Sequence, residues 1–367
     1  MGLKEAKILS TRRKVLTSLT ASVGLSASNL TFGRTGSLPK VGFIYVGPVG
    51  DGGWTFAHEQ GRLAAERTLG GQFESIVVER VPESQQADQV FREMIGMGAQ
   101  LIFATTFGYR DTIRRLAPRY PNVHFEHCTG YESSRNVSTY DVRRYEACYL
   151  AGILAGLTSR TGQLGVIGAI PIPDVIRSIN AFTIGAREVN KKSVVHLEWA
   201  NTWFDPKQEG RIADLLLARG ADTLLQTTDS PSIWQRARVR GAKAFGMDSD
   251  MSHYAPEAHL GSAASLWGPY YTQRIKAHLD ESLRSSDTWW GFAESAVDLV
   301  GLPQHLSAEV VAQIEARRTD LKLGNWSVFK GPLYSNTGTL MLPDGPATDI
   351  DLATMKLLVA GVKGRVP

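Results

Sequence analysis

The residues of this chain best suited to chemistry are aromatics and short polar side chains placed just after apolar runs. Trp54 follows GPVGDGG, Phe107 and Tyr109 follow FATT, and Asn180 and Phe182 follow AIPIPDVIRSI. Trp199, Asn201 and Trp203 lie in EWANTWFDP, Asp229 in QTTDSP, Asp248 in GMDSD, and Trp267 comes after GSAASL. Such a set binds a flat heteroaromatic ring well: indole and phenyl faces stack on it, while Asn, Thr and Asp meet its edge donors and acceptors. An edge group left unpaired in a buried site costs about 1–3 kcal/mol, which is how such a site discriminates. Asp51 and Asp174 suit a helix cap or a ligand contact equally. Asp248 has no local cap to make and reads as functional. Trp234, Trp289, Trp290 and Trp326 stand away from strand ends and read as packing.

Signatures of catalysis are missing. AHEQGR carries Arg62 where a zinc-protease helix needs its second histidine, and there is neither a GxSxG elbow nor a GxxxxGK[ST] loop. In GPVGDGGW, Thr55 stands where a dinucleotide fingerprint has its third glycine. Eight scattered histidines include no ligand-spaced pair, so neither a metal nor another cofactor is expected. Cys128 and Cys148 are too few for a disulfide framework, and Cys148 in EACYLAGILAG reads as a buried thiol.

The elements that position these residues come from an internal repeat. KVGFIYVGPVGD at 40–51 aligns with QLGVIGAIPIPD at 163–174, and MGAQLIFATT at 97–106 with RGADTLLQTT at 219–228, at nearly the same offset. Each unit alternates apolar strands with amphipathic helices. Over 84–96, Ala87, Val90, Phe91, Met94 and Ile95 share one helical face, with Gly98 as the stop. Alternating strands and helices predict βαβ units and an α/β fold: two doubly wound parallel-sheet lobes joined by a hinge. In that architecture ligands bind beyond the C-terminal strand ends, where the aromatics and amides fall. The expected division is lobe 1 over 37–145, lobe 2 over 146–258, segments completing both lobes across the hinge over 259–330, and a hairpin with a packing helix over 331–367.

Residues 1–36 stand apart. They carry six basic residues against Glu5, a local +5 that leaves the remainder at −1 when the whole chain is +4. An uncharged stretch from Val15 to Phe32 follows Thr11–Lys14, the order of an export signal, and Arg12-Arg13 gives it a twin-arginine character. The stretch is too weakly apolar to span a membrane, and no cysteine stands near it for lipidation. A periplasmic product is expected. Because the basic excess is confined to this leader, nucleic-acid binding is excluded.

KVGFIYVGPVGDGGWTFAHEQGR, RRYEACYLAGILAG, TGQLGVIGAIPIPDVIRSINAFTIGAREVN, NTWFDPKQEG and KAFGMDSDMSH together resemble the basic-membrane-protein family, substrate-binding proteins of ABC importers, from about Lys40 to Pro332. The resemblance implies a type I periplasmic-binding-protein fold, a purine base or nucleoside (riboflavin in some members) as ligand, and an inner-membrane permease as partner to a monomer. It implies that Trp54 stacks the base beside Thr55, that Asn180 in the segment from Ser178 to Phe182 meets its edge, and that Asp248 corresponds to a ribose contact. Where nucleoside binders place a ribose-contacting lysine this chain has Trp267, which implies a free base such as adenine. An enzyme acting on a nucleoside and a periplasmic sensor are the alternatives of other classes.

Overall fold

The computed structural model describes residues 37–50 and 52–367; residues 1–36, where an export signal is expected, and Asp51 lie outside the described residues. Two parallel sheets dominate. In the first, β1 (Lys40–Ile44) is flanked by β2 (Glu74–Val78) and β3 (Ala99–Ala104), followed by β4 (His124–Cys128), β5 (Val137–Val142) and β11 (Asp287–Trp290). In the second, β6 (Gln163–Gly168) is flanked by β7 (Val194–Trp199) and β8 (Thr223–Gln226), followed by β9 (Lys243–Asp248), β10 (His259–Ser265) and β12 (Val297–Val300). The two orders match strand for strand, as a duplicated unit requires. They part at the last strand, since β11 joins β5 in parallel and β12 joins β10 antiparallel.

Local sequence explains the elements around the cleft. Helix α1 (Trp54–Leu69) ends where Gly70 takes a left-handed backbone, φ 56°. Helix α5 (Pro173–Val189) starts with proline at its first turn, and α6 (Pro206–Ala218) is capped by Asp205, whose carboxylate accepts from the Lys207 and Gln208 amides, each at 3.0 Å. Helix α4 (Arg144–Thr158) is buried along nearly its whole length, because EACYLAGILAG has no polar face to offer water. It lies against α5 so closely that a Cβ at Gly152 would come within 2.1 Å of the Phe182 carbonyl oxygen, and one at Gly185 within 2.2 Å of the Tyr149 oxygen.

One apolar core runs through both lobes and the α4–α5 contact, from Phe43 and Phe103 to Phe182, Phe245 and Leu299. Smaller cores lie under α2 (Ala87–Gly96), around Phe91 and Met94, and around Trp234 and Leu216 in the second lobe. After β12 the chain forms α9 (Ala308–Lys322), a small hairpin of β13 (Leu333–Tyr334) and β14 (Leu340–Leu342), and a short α10 (Asp349–Ala353). It then lays β15 (Val362–Lys363) beside β7 on the second sheet.

The α4–α5 approach yields the first prediction. Gly152→Val should destabilise the protein by about 1–3 kcal/mol or more in a urea titration, because the clash is with backbone that no rotamer change relieves. An unchanged midpoint would mean that the two helices are not in this contact.

Candidate functional site

The C-terminal ends of both sheets face a cleft of about 1180 Å³ between the lobes. The loops there are held tightly. Of the six described non-glycine residues with positive φ, Arg80, Thr129 and Asp248 line the cleft just after β2, after β4 and at the end of β9, with φ of 58°, 55° and 67°. Left-handed backbone at such residues costs energy that the surrounding fold must offset, and such strain gathers at ligand sites.

Six of the residues expected at the ligand line this cleft: Trp54, Thr55, Phe107, Trp203, Asp229 and Asp248. Half-buried Trp54 is fixed from three sides. Its indole Nε1 donates to the Thr105 carbonyl at 2.7 Å, its backbone amide donates to Asp229 across the cleft at 3.2 Å, and its ring meets His58 and Trp267 edge-on. The Arg144 guanidinium lies 5.1 Å from the Trp54 ring centroid. Thr55 Oγ1 accepts from the Gly47 amide at 3.2 Å and so shapes the loop before α1. At the mouth, exposed Phe107 packs against Tyr131 on the first lobe, while Trp203 and Phe204 stand exposed on the second. A second lobe-to-lobe contact runs from Ser249 Oγ to the Gly52 carbonyl.

The other five are placed elsewhere. Tyr109 is in the core under α2, its hydroxyl donating to Val81 O at 2.7 Å. Phe182 packs on Phe245 within the shared core. Asn180 clasps the C-terminal segment, donating to Leu357 O at 2.8 Å and accepting from the Val359 amide at 2.9 Å. Trp199 covers Gly168 and donates to Arg365 O at 2.8 Å. Trp267 is buried behind Trp54, stacked 4.4 Å from the His58 ring. Burial and Arg144 push the His58 pKa well down, so this imidazole is a neutral aromatic partner whose Nδ1 pairs with the Tyr271 hydroxyl at 2.6 Å.

Sequence reasoning missed a charged cluster at the hinge side of the cleft. Arg144, buried at the start of α4, donates through Nη1 to Asp248 at 2.6 Å and through Nη2 to Asp174 at 2.8 Å. Asp248 also accepts from Ser265 Oγ at 2.9 Å, and Asp174 accepts from Arg177 at 3.1 Å. Asp174 is thus neither an α5 cap nor a lone ligand group: Ile172 holds the cap position and Asp174 sits in the first turn. Trp289, expected to be packing, lines the cleft between the guanidinium groups of Arg143 and Arg177, at 4.5 and 4.8 Å. The signal that could have found the cluster is DVRR at 141–144, charge placed where a strand gives way to a largely apolar helix.

Asp141 completes the cluster. Burial, and then Asp174, push its carboxyl up to about 7, against the pull of Arg144, Arg177 and the Val142 amide. Among the described residues no group of three or more His, Cys, Asp and Glu could hold a metal ion, and no helix is long and apolar enough to cross a membrane. Both cysteines are buried and free.

Two doubly wound lobes that face each other across a deep aromatic and charged cleft at their strand ends make the type I periplasmic-binding-protein fold. The chain belongs to the Bmp family, described as PnrA-like ABC-transporter substrate-binding proteins, whose profile matches residues 38–328. It is 40% identical to a purine-binding protein of Brucella abortus, over 89% of this chain and 94% of that one. It is 32% identical to a putative ABC-transporter glucose-binding protein of Haloferax volcanii, over 90% and 82%. An ABC-transporter solute-binding protein of Conexibacter woesei shares the fold, with a TM-score of 0.66 at 19% identity over 78% of this chain and 97% of that one.

The Asp141 carboxyl gives a prediction for stability. Its folded value of about 7 lies above the ordinary 3.8, so the folded state holds its proton more tightly. The resulting stabilisation is complete below the ordinary value and is lost as pH rises through about 7. Asp141→Asn, uncharged throughout, should therefore melt above the wild type at pH 8, with a smaller difference at pH 5. Glu146, also pushed up to about 7 by burial, keeps part of the pH dependence in both proteins. A variant that melts lower at pH 8 would show that the charged carboxylate is favourably held.

Proposed function

We propose that this protein is exported to the periplasm, captures a purine nucleobase, adenine foremost, by closing its two lobes on it, and delivers it to the permease of an ABC importer. Trp54 carries this reading. It is an aromatic side chain at the first strand–helix turn, immobilised by bonds to both lobes, in a cleft whose other polar side chains suit the edge of a heterocycle. The purine-binding relative at 40% identity supports the choice of ligand.

The charges narrow it further. The cleft is lined by Glu83, Asp141, Asp174, Asp229, Asp248, Asp287 and Asp349 against Arg80, Arg143, Arg144 and Arg177. A nucleotide's phosphate would meet that acidic excess, so a base or nucleoside is favoured over its phosphorylated form. The cavity, at about 1180 Å³, exceeds the roughly 300–1,000 Å³ of ordinary small-molecule sites, and this supports a purine nucleoside or riboflavin as the second reading. Two opposed strand-end surfaces support closure as the mode of capture: a ligand shifts the open–closed equilibrium only by its extra affinity for the closed form, and contacts from both lobes would supply it.

A thermal-shift panel of adenine, guanine, hypoxanthine, adenosine, riboflavin and AMP, each at about 1 mM, tests this reading; a ligand at a thousand times its Kd adds about 4 kcal/mol of stability. Adenine should raise the melting temperature by several degrees and AMP should not. Silence from every base and nucleoside, or a response to AMP alone, would overturn it. Trp54→Ala should weaken adenine binding by roughly 5- to 150-fold, the loss of one stacking face, measured by calorimetry; unchanged affinity would remove Trp54 from the site.

A further inference from the structure

We propose that the C-terminal segment, residues 331–367, is a strap that ties the two lobes together beside the hinge, and that its Asp349–Arg143 ion pair sets the balance between lobes engaged and lobes apart. The proposal rests on capture between two lobes, as read above, and not on which ligand is captured.

The segment lies beyond the residues matched by the family profile, and it is fastened to the second lobe. Its β15 pairs in parallel with β7 and so covers that edge of the second sheet, whereas the equivalent strand β2 is the last of the first sheet among the described residues. From α5, Asn180 donates to Leu357 O at 2.8 Å and accepts from the Val359 amide at 2.9 Å, while Arg177 Nη1 donates to Leu352 O at 2.9 Å. Trp199 Nε1 donates to Arg365 O at 2.8 Å. With so many bonds to α5 and β7, α10 moves with the second lobe. A capping box fixes its start: the Thr348 hydroxyl accepts from the Asp351 amide at 3.2 Å, and the Asp351 carboxylate accepts from the Thr348 amide at 2.9 Å.

Asp349, in that first turn, reaches the other lobe. Its two carboxylate oxygens accept from Arg143 Nη1 at 2.9 Å and Nη2 at 3.0 Å. Arg143 is the residue at which the chain leaves β5 for α4, and it is held to the first sheet: its amide donates to Trp290 O at 2.6 Å and its Nε to Trp289 O at 3.1 Å. Rotation of the first lobe about the hinge therefore carries Trp289 and this guanidinium past α10, and the pair registers the motion. It is made in the same conformation in which the Trp54 amide meets Asp229 and Ser249 Oγ meets the Gly52 carbonyl, so it favours lobes engaged. Exposed ion pairs contribute little as a rule, but a two-pronged pair on an arginine already fixed at two other atoms gives up little side-chain freedom. Such a pair is worth about two- to fivefold in an equilibrium constant. Apparent affinity scales with the population of the competent conformation, so the strap tunes binding without touching the ligand.

Pulsed dipolar EPR on the full ligand-free chain tests this, with spin labels at Arg92→Cys on α2 and Arg240→Cys on the second lobe, both exposed positions, beside two buried native cysteines. Asp349→Lys, which sets a cation against Arg143, should shift the distance distribution away from that of the wild type towards lobes apart, and Asp349→Asn should shift it less. Raising the salt to about 0.5 M should move the wild type the same way and leave Asp349→Asn in place. Adenine titrated by calorimetry should bind Asp349→Lys about two- to fivefold more weakly or worse. Coincident ligand-free distributions, a shift towards closer lobes, or equal adenine affinity in wild type and Asp349→Lys would overturn the strap. Distributions that shift as expected in a protein that binds no adenine would uphold the strap and sink the purine reading alone.

Discussion

The structure depends on keeping one buried cation satisfied. Arg144 stands at the first turn of α4, the helix that passes from the first lobe into the second, and burial alone would discourage its charge. Asp174, Asp248 and Asp141 hold it protonated instead. A buried guanidinium that lost either bonded carboxylate would be left partly unpaired, at a cost of several kcal/mol. The first turn of α5 and the ends of β9 and β10 are thereby tied to the base of the cleft through Asp174, Asp248 and Ser265. The same guanidinium lies over Trp54, so the group that fixes the hinge also borders the stacking residue.

From that anchor the division of labour in the cleft follows. Aromatic rings, Trp54 inside with Phe107, Tyr131, Trp203 and Phe204 at the mouth, line the cleft with flat apolar surface. A carboxylate in the cleft must find a donor or a proton. Among the described residues, direct contacts between the lobes include those at the glycine-rich loop before α1, where Gly52 and Trp54 meet Ser249 and Asp229. The chain beyond residue 328, outside the family match, adds Asp349 and Ala353 to the cleft wall, and Asp349 pairs with Arg143 at 2.9 Å.

Much of the fold was legible in the sequence because a duplication repeats its own evidence: two apolar strands with matching successors place β1 and β6 as equivalent centres of two sheets. Trp54 and Asp248 were legible as cleft residues because each comes at or beyond the end of an apolar run, Asp248 closing β9 and Trp54 opening α1 after the glycine-rich loop that follows β1. Asn180 and Trp199 were expected at the ligand and instead bind backbone at Leu357, Val359 and Arg365, because a segment more than 160 residues later folds back over α5 and β7. No local pattern announces that return. Tyr109 follows β3 closely and Phe182 lies midway along α5, and order along the chain does not say which way either side chain turns; both turn into the core. The Arg144 cluster was hidden for the opposite reason. Its members come from β5, α4, α5 and β9, and only the tertiary fold makes them neighbours.

The measurement that tests the central claim most directly is small-angle X-ray scattering of the protein with and without saturating adenine. Capture between two lobes predicts a smaller radius of gyration and a narrower interatomic distance distribution in the bound protein. Scattering that is identical in the two states, with adenine shown to be bound, would contradict an account in which closure of the lobes is the act of recognition.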